Sequence, residues 1–172
     1  MAFDLPGLNF AQKTLSGKPK WEQSDSVWFC LTASLEIEGA TVPGLELRGG
    51  AAQSLPDRAV RFQIQYRPPR SHCVHLGRAE WRPIGIHTNR AVGPPHLQMM
   101  RIGETHIHEF EHNWLPEEGR MREGDLPVAR PVRPDLQSFD EFLVFVGKEF
   151  RISEIHKVER PSWQEPGLFG IA

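Results

Sequence analysis

The sequence predicts an α+β fold: an antiparallel sheet of about six strands with one main amphipathic helix, about 138–150, packed on it. Three observations carry this. Apolar and polar residues alternate over 27–37 and again over 60–66. One helical pattern appears, and it follows the strands. Fifteen Gly and fifteen Pro among 172 residues cut the rest into short pieces. That length suits a single domain, 1–172, able to bury a core.

Taken in order, residues 1–25 are polar and punctuated by Gly and Pro, with scattered Phe3, Leu5, Leu8 and Phe10. They read as a loosely ordered N-terminal arm. Next, Val27, Phe29, Leu31, Ala33, Leu35 and Ile37 alternate with polar or smaller residues, which places them on one face of a strand. Gly39 ends it, 45–48 reads as a short strand, and Gly49 with Gly50 reads as a turn. Val60, Phe62, Ile64 and Tyr66 define another strand, stopped by Pro68 and Pro69. Residues 72–81 form a third, continuing less regularly to Ile86. Residues 87–96 read as a loop, and 97–102 and 104–114 as strands joined near Gly103. A Pro-rich, charged loop spans 115–134. Ser138 and Glu141 then match a capping box, with Phe139, Phe142, Leu143, Val146 and Phe150 on one helical face and Gly147 weakening the last turn. A final strand is expected over 152–158.

Twenty basic and 22 acidic residues leave a formal charge of −2. That balance gives no global drive toward nucleic acid or an anionic membrane, and only a local basic patch would supply one. Cys30 and Cys73 stand alone, without a C-x-x-C pair. Cys73 lies between His72 and His75, but sequence neighbours rarely place an imidazole across from the sulfur, so a packed strand cysteine is the expectation. No run approaches eighteen apolar residues and the N-terminus lacks a leader pattern, so a cytoplasmic protein is expected. No G-x-S-x-G, Walker A or G-x-G-x-x-G pattern is present.

The unusual segment is ETHIHEFEHNW, residues 104–114. As a helix, HEFEH would pair His108 and His112 on Zn²⁺, with Glu109 as general base. Gly103 and Pro116 leave little room for that helix, and no third ligand follows at a recognised spacing. As a strand, it places His106 and His108 side by side, with Glu109 on the opposite face. His112 then lies about 13 Å further along at ~3.3 Å per residue, so a third ligand to zinc or another divalent metal comes more readily from His87 or His96. The metal-free alternative uses two histidines as acid and base, here His106 and His108 with His87, plus a cation from Lys148, Arg101 or Arg61. The plain reading is a polar strand whose imidazoles bond their neighbours, with no cofactor. H-x-H-x-D-H and the cupin H-x-H pattern are both near misses. Arg120, Arg122, Arg130 and Arg133 in the long loop are the candidates for contact with a protein partner, diluted by Glu117, Glu118, Glu123 and Asp125.

The order HTN (87–89), THIHEFEHNW (105–114) and PDLQSFDEFLVFVGKEFRI (134–152) resembles a family of uncharacterised small bacterial proteins. They pair an H-x-N turn with an H-x-H-x-aromatic strand and a short C-terminal helix. The resemblance covers the second half and implies mobile-element, toxin–antitoxin or phage-defence cargo without an agreed activity. Two functions follow as expectations. One is a non-catalytic interaction or accessory protein of such a system. The other is a small nuclease or phosphoesterase built on the H-x-H strand, metal-dependent or metal-free. A zinc peptidase ranks last.

Overall fold

A computed structural model describes residues 4–163. Three helices and twelve strands are found among them. The helices are α1 (Leu5–Phe10), α2 (Phe110–Asn113) and α3 (Phe139–Glu149). The strands are β1 (Lys13–Leu15), β2 (Trp21–Gln23), β3 (Trp28–Ile37), β4 (Ala40–Ala52), β5 (Val60–Tyr66), β6 (Val74–Trp81), β7 (His87–Thr88), β8 (Arg101–Ile102), β9 (His106–His108), β10 (Trp114–Leu115), β11 (Arg120–Met121) and β12 (Arg130–Pro131). Eight make one antiparallel sheet in the order β1-β3-β4-β5-β6-β9-β12, with β2 also paired to β3. The α+β expectation holds, with more strands and a shorter helix than predicted. No described helix is long and apolar enough to cross a membrane.

The alternating segments fold as their patterns require. Leu31, Ala33 and Leu35 of β3 and Val60, Phe62 and Ile64 of β5 are buried on the face that α3 covers. Phe142 of α3 sits 5.8 Å from Trp81, ring on ring, and 5.9 Å from Phe62. The Ser138 hydroxyl accepts from the Glu141 amide at 3.1 Å, the capping bond the pattern predicts. The carboxylate of Glu141 accepts from Gln137 N–H, one residue before the cap.

Several elements differ from expectation, each for a local reason. The arm over 1–25 is ordered where described: α1 starts at an Asp4 cap and buries Leu8, and β1 and β2 both pair with β3. Lys13 anchors it, fully buried with its ammonium donating to the carbonyls of Asn9, Ala11 and Phe150. Burial, then the nearby Arg151, lowers its pKa to about 8. Gly49 and Gly50 are not a turn but lie inside β4, near its end. A Cβ on Gly49 would lie 2.8 Å from the Trp21 ring and 3.0 Å from Phe62, so the missing side chain makes room for aromatics. The turn after β4 comes later, over 53–59, while the expected break at Gly39 is a two-residue hairpin with Glu38 and Gly39 both at positive φ.

The third predicted strand stops at Trp81, because Arg82 adopts φ 46°. Of the predicted 97–102 strand only β8 remains, pairing with β7 inside the supposed 87–96 loop. The 104–114 strand is cut short: β9 keeps three residues and α2 forms one turn after it. The long loop over 115–134 is not solvated throughout. It makes the β10–β11 ribbon, then buries Leu126, Val128, Ala129 and Val132 and adds β12 to the sheet. The expected strand over 152–158 is a bridge from Ile152 to Lys13 and a 3-10 turn, Ile155–Lys157.

Gly147 lies where that turn packs on α3. A Cβ there would fall 2.5 Å from Ile155 Cγ2 and 3.1 Å from the Ile152 carbonyl. Helix propensity alone makes Gly147→Ala stabilising by about 1 kcal/mol. Overpacking against buried Ile155 costs about 1–3 kcal/mol. The clash dominates, so urea unfolding of Gly147→Ala is expected to show a lowered midpoint.

Candidate metal centre

The polar face of the sheet carries the site, where β6 meets β9. Glu80 pairs in register with His106, and Arg78 with His108. The period of two then points Arg78, Glu80, His106 and His108 to the same side. Ile107, between the histidines, is buried on the other side. His106 is 1% exposed and His108 0%.

Each histidine has one nitrogen committed to a carbonyl. His106 Nδ1 donates to the Glu104 carbonyl at 2.8 Å, and His108 Nδ1 donates to that of Leu126 at 2.7 Å. A carbonyl only accepts, so each ring carries a proton on Nδ1, and its neutral form presents a lone pair at Nε2. Both Nε2 atoms face the Glu80 carboxylate. His106 Nε2 is 3.9 Å from Oε2, and His108 Nε2 is 3.9 Å from Oε1. The three ligand atoms lie within 4.8 Å of one another, so Glu80, His106 and His108 form a group that could hold a metal ion.

Arg78 is the cation against this group. Its Nε lies 3.0 Å from Glu80 Oε1, and its Nη2 donates across 3.4 Å to His108 Nε2. Its Nη1 donates to Asp125, whose other oxygen meets His75 Nδ1. Burial alone would raise the Asp125 carboxyl, but His75 and Arg78 hold it below its usual value. Arg78 makes no bond to His106 Nε2, which is buried without a hydrogen-bond partner among the described residues.

His87 completes a cluster of three rings. Its centroid is 4.6 Å from that of His108 and 5.6 Å from that of His106. It is not a member of the ligand group. Its Nε2 instead donates to Asn89 Oδ1 at 2.9 Å. Burial, then His106, lowers its pKa. Burial lowers His108 further, to about 2, helped by Arg78 and the two neighbouring imidazoles.

The other predicted residues lie elsewhere. His96 is exposed on the 3-10 turn Pro95–Leu97. His112 is on α2 with Nδ1 3.0 Å from Glu109 Oε2, an ion-pair distance without hydrogen-bond alignment. Neither joins the group. His108 on β9 and His112 on α2 also do not share the helix that H-E-x-x-H needs. Glu109 projects to the opposite face, as the strand reading expects, where Arg130 binds it at 2.6 Å and links it to Glu149 of α3.

The four loop arginines have separate partners. Arg120 pairs with Glu118 and Glu123, Arg122 with the His112 carbonyl, Arg130 with Glu109 and Arg133 with Glu104. Burial raises the Cys73 thiol, and His75 is engaged by Asp125 rather than by sulfur. Of the cations considered for phosphate, Lys148 and Arg101 are exposed on α3 and β8, and only Arg61 reaches the cleft beside the cluster. Sequence reasoning missed Glu80, Arg78 and Asp125. The alternation placing Arg78 and Glu80 together was present, but nothing showed that β6 neighbours β9.

No protein-family model, no curated protein and no solved structure matches the chain.

A histidine held neutral makes the fold acid-sensitive. The folded pKa of His108 lies below its ordinary 6.5, so the unfolded chain binds the extra proton as pH falls. Stability is full above about pH 6.5 and declines below it by up to about 1.4 kcal/mol per pH unit. Denaturant titrations from pH 7 to 5 in EDTA are expected to show this slope. His108→Asn should flatten it.

Proposed function

We propose that this protein is a small divalent-metal-dependent phosphoesterase, with Glu80, His106 and His108 as the metal ligands. The observation that carries the reading is the convergence of acceptors. Two imidazole lone pairs and a carboxylate face one point, and His106 Nε2 has no donor. A buried acceptor without a donor costs roughly 1–3 kcal/mol, and a cation would relieve this one at His106 Nε2. Tetrahedral ligands at ~2.1 Å lie about 3.4 Å apart, so the 3.9 Å spacings need to close by roughly half an ångström. Two imidazoles and one carboxylate suit zinc or a first-row transition metal.

The carbonyls of Glu104 and Leu126 fix the ring orientation, as outer partners of metal-ligating histidines do. Glu80, His87 and His106 line one end of a cleft of about 360 Å³, which gives a substrate access. A divalent ion supplies Lewis acidity and an acidified water there. Arg61, in the same cleft, offers its guanidinium to developing phosphate charge. The reading of an interaction protein draws on Ile84 and Ile86, 66% and 60% exposed. Both line this cleft, so the same residues can serve a substrate.

Purified protein dialysed against Zn²⁺ or Mn²⁺ is expected to hold about one ion per chain by elemental analysis. His106→Ala and His108→Ala should abolish that, while His96→Ala and His112→Ala should not. Hydrolysis of bis(p-nitrophenyl) phosphate by the loaded protein should fall about 100-fold or more in Glu80→Gln. Low metal content unchanged by the His106 and His108 substitutions would sink the proposal.

A further inference from the structure

We infer that the cleft binds a nucleotide: a phosphate ester carrying a flat aromatic base, with the phosphate between Arg61 and the ligand group and the base against Trp28. This rests on the metal reading for one end of the ligand and on independent features for the other. Arg61 is the cross-strand neighbour of Glu80 on one side and of Gly50 on the other. It is exposed and has no carboxylate partner among the described residues. A Cβ on Gly50 would lie 3.1 Å from Arg61 Nε, so the glycine lets the side chain lie flat across β4. The guanidinium carbon stands 5.9 Å from the Trp28 ring centroid, on the side of the cleft away from the histidines.

The chemistry of the walls selects the ligand. Among the described residues Glu80 is the one acidic residue lining the cleft, and the ion would neutralise it. A divalent ion and an unpaired guanidinium then both face anionic oxygens, and a guanidinium fork matches phosphate. Trp28 supplies an aromatic face, and Ile84 and Ile86 supply apolar surface. Bases stack on such rings regardless of sequence. A bare phosphate leaves Trp28 and the isoleucines unused, and a nucleoside leaves Arg61 unused.

Calorimetric titration of the Mn²⁺-loaded protein with AMP, inorganic phosphate and adenosine tests this. AMP should bind at least about tenfold more tightly than either fragment. Arg61→Gln should weaken AMP about tenfold while leaving metal content unchanged. Trp28→Leu, verified folded by circular dichroism, should weaken AMP but not phosphate. Loaded protein that binds AMP no better than phosphate, or an Arg61→Gln variant with unchanged AMP affinity, overturns the inference while the metal reading stands. AMP binding that needs Arg61 and Trp28 but persists in protein unable to hold metal supports the nucleotide assignment and removes the metal reading.

Discussion

Two buried asparagine side chains, Asn89 and Asn113, hold the peptide groups of Val128 and Ala129. Asn113 Oδ1 accepts from Val128 N–H at 2.9 Å, and its Nδ2 donates to the Val128 carbonyl at 2.8 Å. Asn89 does the same for Ala129, both bonds at 2.8 Å. Each amide thus acts as a strand residue does in a hydrogen-bonded antiparallel pair. Val128 and Ala129 are fully buried, and four unpaired backbone groups there would each cost roughly 1–3 kcal/mol. With the amides in place, a Pro-rich stretch enters the core and delivers β12 to β9. The same stretch sets the site. The Leu126 carbonyl fixes the tautomer of His108, and Asn89 Oδ1 accepts from His87 Nε2–H.

The sheet divides its two faces between stability and chemistry. One face packs Phe62 and Trp81 against α3 and carries most of the buried apolar area. Its glycines serve close approach, as at Gly77, where a Cβ would lie 3.1 Å from the Phe150 ring. The other face carries Arg61, Arg78, Glu80, His106 and His108. Among the described residues no long helix covers it, and loops around Ile86 and Leu126 close over the histidines instead. A carboxylate and two imidazoles can therefore be buried beside one another without interrupting the core.

What was legible in the sequence follows from the range of each interaction. The strands with Leu31 and Phe62, and the helix with Phe142, carry their own periodicity, so they could be read locally. The pairing of His106 with His108 followed from the same period of two. Glu80 was not legible as their partner, because the β6–β9 pairing spans 82–105, a stretch without clear pattern. Gly49 and Gly50 looked like a turn, since the aromatics that require them lie on other strands. Val128 and Ala129 looked solvated because their hydrogen-bond partners are Asn side chains up to 40 residues away, and Leu126 because its carbonyl pairs with His108.

Arg78 shows why the ligand group is unbalanced at one end. Its guanidinium serves acceptors on three elements: Glu80 on its own strand, His108 on β9 and Asp125 beyond β11. A planar fork held by Asp125 and His108 cannot also turn toward His106. Position matters here as much as count. His108 is sealed within the protein, whereas His106 and Glu80 line the cleft. The acceptor that Arg78 leaves unserved is therefore on the solvent side of the cluster. An ion held as proposed would find His106 Nε2 free of any donor and would compete with Arg78 for His108 Nε2. The internal cation lowers the cost of placing Glu80 beside the histidines while leaving His106 Nε2 without a donor.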